Sequence, residues 1–163
     1  MSTSRSAPCN LRWLWIHLAI VLVIGGLAAW ITSGSFSDFE ALRQPPFAPP
    51  SWLFPVAWTI LYVLMAVGAW MVQSSDAPPP FLRAALWLYG IQLLFNFFWP
   101  LFFFKWNLRL FAFAWLLALL TLAAFMARQF RRARPAAGWM QLPYLLWLLF
   151  AACLNLAIVL LNP

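Results

Sequence analysis

The feature that most constrains this chain is a series of five apolar runs separated by short segments rich in proline or arginine. Each run has about 20 residues, which is enough to cross a hydrocarbon core of about 30 Å as an α-helix. Backbone groups in lipid must be paired within their own segment, and the runs lack the alternation typical of barrel strands. We therefore predict an all-α integral membrane protein, a bundle of five transmembrane helices at about residues 13–31, 52–73, 81–103, 110–126 and 139–161.

The amino-acid composition argues against a soluble domain and against a nucleic-acid-binding protein. The chain is 66% hydrophobic and only 8% charged, too little polar surface for a soluble domain. Its net charge of +7 is not a nucleic-acid signal, because the basic residues lie between the apolar runs, where topology requires them. The expected partner is the lipid bilayer. With His17, Cys9 and Cys153 far apart along the chain, we predict no metal site.

The distribution of basic residues predicts the orientation. We interpret residues 1–12 as a cytoplasmic tail and residues 13–163 as a single membrane domain. The side of the membrane that holds this tail receives Arg5, Arg12, Arg83, Arg128, Arg131, Arg132 and Arg134, whereas the other side receives Arg43, Lys105 and Arg109. The positive-inside rule then places the N-terminus in the cytoplasm and the C-terminus in the periplasm, in a bacterial inner membrane. The last four arginines are interpreted as a topogenic loop that also meets anionic head groups.

The second run opens with a proline-rich collar and presents aromatic side chains near its start. Pro45, Pro46, Pro49 and Pro50 hold the chain extended before the helix begins. Trp58 and Tyr62 are four residues apart and therefore share one helix face. On the residues alone, this face is either an interfacial aromatic belt or the wall of a site.

Polar residues within the third and fifth runs indicate interior faces. Gln92, Asn96 and Trp99 form one stripe on the third predicted helix, and Trp147, Ala151 and Asn155 repeat every four residues on the fifth. Polar groups inside a bilayer protein mark a functional cavity or bond neighbouring helices together. We favour a cavity for Asn96 and helix-to-helix bonding for Asn155. One histidine and three acidic residues provide no hydrolytic constellation.

Three spaced motifs make the chain resemble the TspO/MBR family, the translocator proteins, peripheral benzodiazepine receptors and tryptophan-rich sensory proteins. The resemblance covers all five predicted helices. In the second helix the matching positions are Pro45, Pro49, Pro50, Phe54, Trp58, Leu61, Tyr62 and Met65. In the third they are Asn96, Trp99, Phe103 and Phe104, and in the fifth Pro143, Tyr144, Trp147, Ala151, Leu154 and Asn155. The chain departs from the family at Gln44, where relatives have lysine, and at Asp38, where they have tryptophan.

The resemblance implies a ligand site inside the bundle. Its expected residues are Phe39, Trp58, Tyr62, Gln92, Asn96, Trp99, Tyr144, Trp147 and Ala151, with Phe39 in a loop that covers the mouth. A site walled by indoles suits a flat, largely apolar ligand. The ligands that the family implies are tetrapyrroles such as protoporphyrin IX and haem, together with other lipophilic molecules; no cofactor is required.

Three functions stay open at this point. The one we prefer is a membrane receptor or sensor that binds tetrapyrroles and regulates porphyrin-linked stress responses. The alternatives are a transporter of porphyrins or small lipophiles and a light-dependent enzyme that degrades protoporphyrin, in which Trp58 and Trp147 would be the catalytic residues. Bacterial relatives are often homodimers, so a homodimer is also expected.

Overall fold

The structure, a computed structural model, describes residues 10–163 as a helical protein. The elements in chain order are α1 (Leu11–Thr32), a 3-10 turn (Ser33–Ser35), α2 (Phe36–Glu40), α3 (Leu53–Gln73), α4 (Pro79–Pro100), a π-helical turn (Leu101–Lys105), α5 (Arg109–Ala133), α6 (Pro135–Trp139) and α7 (Leu142–Leu161). Most of the tail predicted at residues 1–12 lies outside the described residues.

Five of these segments are long and apolar enough to cross a membrane, which confirms the predicted fold class. They are Leu11–Ser35, Leu53–Gln73, Pro79–Lys105, Arg109–Ala133 and Pro135–Leu161. The first and third spans include the turns that extend α1 and α4, and the fifth includes α6 together with α7.

The five spans form a closed ring. The helix α1 packs on α3 and α4, α4 packs on α5, and α5 packs on α6 and α7, which in turn contact α3. The centre of the ring is filled by Met65, Ala66, Leu116 and Leu148, all of them fully buried. The start of α3 and the end of α4 therefore lie side by side at one end of the bundle, next to the loop that follows α1.

The predicted end of the fourth membrane helix was wrong. We expected helix four to end near residue 126 and the arginine cluster to form a loop, but α5 continues to Ala133 and carries Arg128, Arg131 and Arg132. Arginine has a high helix propensity, and cations in a last turn are stabilised by the helix dipole, so these charges extend the helix. The segment from Pro135 forms the short helix α6 because proline is well tolerated at the first helical position.

Pro100 changes the course of the chain at the end of α4. Proline has no N–H to bond the carbonyl one turn earlier, so the α-helical ladder cannot continue normally through this position. The chain widens into the π-helical turn Leu101–Lys105, which buries the consecutive residues Phe103 and Phe104. Asn107 then adopts φ 55°, a left-handed conformation that asparagine tolerates, and reverses the chain into α5.

Polar side chains connect helices at several levels of the bundle. At the end away from the α2 loop, buried His17 on α1 lies 2.6 Å from the Gln73 side-chain oxygen on α3. On the other side of the ring, the Trp115 indole N–H donates to the Phe95 carbonyl at 2.8 Å. Such bonds contribute about 0.6–2 kcal/mol each inside membrane proteins and fix which helix faces meet.

Candidate functional site

Trp58 lies at the centre of an aromatic cluster contributed by three helices. Its ring centroid is 5.7 Å from that of Tyr62 on the same helix and 6.2 Å from that of Trp99 on α4. On α7, Tyr144 and Trp147 lie 6.4 Å away, and the Trp147 ring is nearly perpendicular to Trp58 at 84°. These separations are typical of favourable aromatic pairs, so the cluster holds the Trp58 indole in one orientation.

A cavity of about 270 Å³ lies between α1, α3 and α4, and Trp58 lines it. Ligand sites commonly enclose about 300–1,000 Å³, so the volume of this cavity is just below that range. Its lining is mostly apolar and consists of Leu22, Gly25, Gly26, Ala28, Ala29, Thr32, Phe54, Pro55, Trp58, Thr59, Tyr62, Asn96, Trp99, Pro100 and Phe104. The cavity thus combines indole rings with a few polar groups, as expected of a site for a flat lipophilic ligand.

The wall formed by α1 was not predicted as part of the site. Four small residues of this helix, Gly25, Gly26, Ala28 and Ala29, line the cavity. At Gly25 a Cβ atom would overlap the Tyr62 ring, whereas a Cβ at Gly26 would meet nothing within 4 Å. Gly25 therefore permits the close approach of α1 to α3. Glycine and alanine carry no chemistry that would have assigned these positions to a site from the sequence.

A chain of hydrogen bonds supports the aromatic cluster. The Tyr62 hydroxyl donates to the Asn96 side-chain oxygen at 2.9 Å, and the Asn96 amide donates to the Tyr144 hydroxyl at 3.0 Å. The Tyr144 hydroxyl donates onward to the Gln92 side-chain oxygen at 2.8 Å, and Gln92 contacts the Met65 sulfur at 3.6 Å. Since every member is buried and partnered, the network fixes the relative positions of α3, α4 and α7.

The Trp99 side chain has an unused hydrogen-bond donor at the cavity. Trp99 is only 4% exposed and lines the cavity, and among the described residues its indole N–H has no acceptor. The same holds for the indole N–H of Trp147 on the far side of Trp58. Buried donors are normally paired, so these two indole N–H groups are exceptions to the usual pattern.

The cavity is open on the outer surface of the bundle. Leu22 is 49% exposed, and Ala29, Pro55 and Thr59 are also exposed where α1 and α3 meet. Because this surface belongs to membrane-spanning helices, the opening faces the bilayer. A flat ligand larger than the enclosed space can insert one edge into the cavity and remain in contact with lipid.

The loop after α2 closes the end of the bundle beside the cavity. Phe39 is buried, with ring centroids 6.0 Å from Phe54 and 5.3 Å from Phe104. The Gln44 amide donates to the Phe39 carbonyl at 2.6 Å. The loop is also tied to the end of α7 by reciprocal bonds of 3.0 and 3.1 Å between Arg43 and Asn162. Phe39, near the end of α2, therefore covers this end of the bundle, and Gln44 helps to hold it there.

The structure divides the predicted site residues into separate groups. Trp58, Tyr62, Asn96 and Trp99 line the cavity, whereas Gln92 and Tyr144 stand behind it in the hydrogen-bond network. Trp147 lies beyond Trp58, and Phe39 and Ala151 line a separate gap of about 10 Å³. The expected wall from α7 is absent from the cavity because the Trp58 ring and the bonded Tyr144 occupy the space in front of it.

Asn155 connects α7 to α5 rather than facing the cavity. In the amide orientation that satisfies both of its polar atoms, Asn155 donates to the Arg109 carbonyl at 2.9 Å and accepts from the Phe113 N–H at 3.3 Å. These contacts join α7 to the first turns of α5 and are those of helix-to-helix bonding.

The five spans and the aromatic cavity between them define an integral membrane protein of the five-helix bundle class. The family model of the TspO/MBR family matches residues 17–161, and the chain belongs to this family. Protein CrtK of Rhodobacter capsulatus is 32% identical over 91% of this chain and 94% of its own length. Tryptophan-rich protein TspO of Chlorobaculum tepidum is 33% identical over 90% of this chain and 97% of its own length. The translocator protein of Ovis aries is 35% identical over 77% of this chain and 75% of its own length. Membership of this family supports a role as a membrane receptor or sensor.

Proposed function

We propose that this protein is a membrane sensor that binds tetrapyrroles such as protoporphyrin IX and haem in the cavity beside Trp58. The ligand stacks on the indoles of Trp58 and Trp99, which line the cavity. Occupancy regulates porphyrin-linked stress responses by changing the surface that the bundle presents.

The observation that carries this proposal is the cavity with two indoles in its wall and an opening to the bilayer. Aromatic walls bind flat apolar rings through burial and stacking, while a small number of polar groups fixes their orientation. A macrocycle too large for about 270 Å³ enters by one edge between Leu22 and Thr59. Its charged or polar substituents then remain outside, where lipid head groups and water are accessible.

The arrangement of the indoles also favours a second candidate, a light-dependent reaction of bound porphyrin. An excited porphyrin accepts one electron from the Trp58 indole, which leaves an indole radical cation. Trp147 and Tyr62, with ring centroids 6.4 and 5.7 Å from Trp58, are placed to return an electron to it. In this candidate the reactivity comes from the ligand, and the protein supplies the position and the electron donors.

The decisive experiment is a titration of the purified full-length protein with protoporphyrin IX, in the dark and under light. A sensor is expected to show saturable quenching of tryptophan fluorescence at one porphyrin per chain, with an unchanged porphyrin absorbance spectrum in light. Loss of the porphyrin absorbance band under light in detergent would support the enzyme instead. Accumulation of unchanged porphyrin in proteoliposomes would identify a transporter, and absence of saturable binding would contradict all three.

We further propose that the protein lies in a bacterial inner membrane with its N-terminus in the cytoplasm and its C-terminus in the periplasm. The support is the excess of arginine on the side that holds α6 and the N-terminus. A C-terminal alkaline phosphatase fusion is expected to be active and a C-terminal green fluorescent protein fusion dark. The reverse pair of results would overturn this orientation.

A homodimer remains part of the proposal, on the resemblance alone. Cross-linking of the full-length protein in mild detergent is expected to yield a species of twice the chain mass. A single monomeric species at all protein concentrations would contradict it.

A further inference from the structure

A second recess lies at the end of the bundle opposite to the Trp58 cavity. It is a surface groove of about 240 Å³ between the last turns of α5 and the first turns of α7. The chain alternates direction from span to span, so the end of α5 and the start of α3 are at opposite membrane surfaces. This groove is therefore separate from the proposed tetrapyrrole site.

One end of the groove is positively charged. Arg128 and Arg131 line it and are three residues apart on α5, so their guanidinium groups extend from one helix face. Both side chains are exposed, and among residues 10–163 neither has a carboxylate partner. The Arg131 guanidinium carbon lies 5.9 Å from the Trp139 ring, a cation–π contact that holds it at the rim of the groove.

The close packing of α6 on α5 creates this charged end. A Cβ atom at Gly138 would overlap the backbone of Arg131, so only glycine permits the contact observed between the two helices. The contact brings Trp139, the last residue of α6, beside Arg131. Tryptophan prefers the interface between lipid head groups and acyl chains, which places the charged end of the groove at that depth.

The other end of the groove is apolar. Ala124 and Ala127 continue the face of Arg128 and Arg131 along α5, at the spacing of one helical stripe, and Leu145 contributes from α7. At 1.5 Å per residue the stripe from position 124 to position 131 is about 10 Å long. The alanines form a shallow floor that the leucine borders, so the groove runs from the interface into the hydrocarbon region.

We propose that this groove is a binding site for an anionic phospholipid of the adjacent leaflet. Its phosphate lies between Arg128 and Arg131, and the first part of one acyl chain lies over Ala124 and Ala127. Two guanidinium groups without carboxylate partners favour an anionic lipid over a zwitterionic phospholipid or a sterol. Only the anionic lipid has a net negative charge that can neutralise the two arginines. The apolar half of the groove favours a lipid over a soluble phosphate.

The test is native mass spectrometry of the purified full-length protein in neutral detergent, titrated with phosphatidylglycerol or with phosphatidylcholine of the same chains. The wild type is expected to retain one phosphatidylglycerol in preference to phosphatidylcholine. Since each arginine near a lipid surface contributes a factor of about five in affinity, the double variant Arg128→Gln, Arg131→Gln is expected to lose about 25-fold. Inorganic phosphate added in excess is expected not to displace the lipid.

The matched control removes the same charge from the same end of α5. Arg132 and Arg134 do not line the groove, so the double variant Arg132→Gln, Arg134→Gln is expected to bind phosphatidylglycerol within threefold of the wild type. Ala124→Phe, at an exposed position, fills the apolar half without altering charge and is expected to abolish retention. Equal losses in the two arginine variants, equal retention of both lipids, displacement by phosphate or no effect of Ala124→Phe would each overturn the proposal.

Discussion

The side of the bundle where α1 meets α3 and α4 differs from the side where α5 meets α7. The helix α1 buries only four side chains, His17, Val21, Ala28 and Thr32. The helix α5, of similar length, buries seven: Ala112, Leu116, Leu119, Ala123, Met126, Ala127 and Phe130. The first side encloses the Trp58 cavity, whereas on the second side leucine and alanine interlock at fully buried positions.

The difference shows how a membrane protein separates a scaffold from a site. Lipid is as apolar as leucine, so helices in a bilayer associate through close packing rather than through burial of apolar surface. The α5–α7 side achieves this packing with interlocking side chains. The α1–α3 side instead combines glycine and alanine on one helix with large rings on the other, and such unequal partners leave space between them. We therefore expect substitutions on the two sides to separate stability from binding.

The largest expected effect is a loss of stability on the side of the bundle where α5 meets α7. Leu116 is fully buried, so Leu116→Ala leaves a cavity in the α5 packing and is expected to destabilise the protein by about 2–5 kcal/mol. Protoporphyrin affinity of the folded fraction is expected to be unchanged, because Leu116 does not line the Trp58 cavity. Unfolding in mixed detergent micelles measures the stability, and quenching of tryptophan fluorescence measures the affinity for protoporphyrin.

The control for this prediction is the adjacent leucine. Leu117 is 43% exposed to the bilayer, so Leu117→Ala is expected to change stability much less than Leu116→Ala does. Similar destabilisation by the two variants would mean that the α5–α7 side does not act as the scaffold.

A smaller effect, on both stability and binding, is expected at the wall of the cavity. Gly25→Ala places a methyl group against the Tyr62 ring, which must move and strain its bond to Asn96. Overpacking of this kind costs about 1–3 kcal/mol, and the displaced ring also changes the shape of the cavity. We expect lower stability together with weaker porphyrin binding.

Gly90→Ala is the matched control, because a Cβ there meets nothing within 4 Å and Gly90 does not line the cavity. Thermal unfolding and porphyrin titration of the two variants in the same detergent provide the comparison. A Gly25→Ala protein that binds as well as Gly90→Ala would show that the contact of α1 with Tyr62 does not shape the site.

The sequence was sufficient to predict the five spans and four of the fifteen residues that line the cavity. The lengths of the apolar runs determine the spans. Helical spacing places Trp58 with Tyr62 on one face of α3, and Asn96 with Trp99 on one face of α4, and both faces line the cavity. Spacing along one helix does not determine which helix lies opposite, so the contribution of α1 could not be predicted from it. That contribution is made by glycine and alanine, whose role depends entirely on the neighbouring helix.

The position of Trp147 and Ala151 outside the cavity lining has a related cause. Trp147 contacts Trp58, whereas Ala151, one turn further along α7, lines the small gap beside Trp99. Whether facing groups enclose a space or fill it depends on the sizes and hydrogen bonds of the side chains between them. Here Tyr144 and Asn96 are bonded across the gap, and the space lies on the other side of the Trp58 ring.

A moderate effect confined to binding is expected at Trp58 itself. Trp58→Phe keeps an aromatic ring but removes part of the stacking surface, so affinity for protoporphyrin is expected to fall about three- to tenfold, or about 0.5–1.5 kcal/mol. Trp87 on α4 is 68% exposed on the outer surface, and Trp87→Phe is the control with the same change of side chain. Equal loss in both variants would remove Trp58 from the site.

The smallest effect is expected at Trp147, and it tests where the ligand lies. Trp147 is separated from the cavity by the Trp58 ring, 6.4 Å between centroids, so Trp147→Phe is expected to lower porphyrin affinity less than threefold. A ligand bound between the two indoles would instead require Phe39 and its loop to move away from Phe54 and would depend on both rings equally. Fluorescence-quenching titrations of Trp58→Phe, Trp147→Phe and the double variant distinguish these cases. If the single variants lose the same affinity, the ligand site includes the α7 face and the closed cavity is not its bound form. If only Trp58→Phe binds more weakly, the cavity between α1, α3 and α4 is the site.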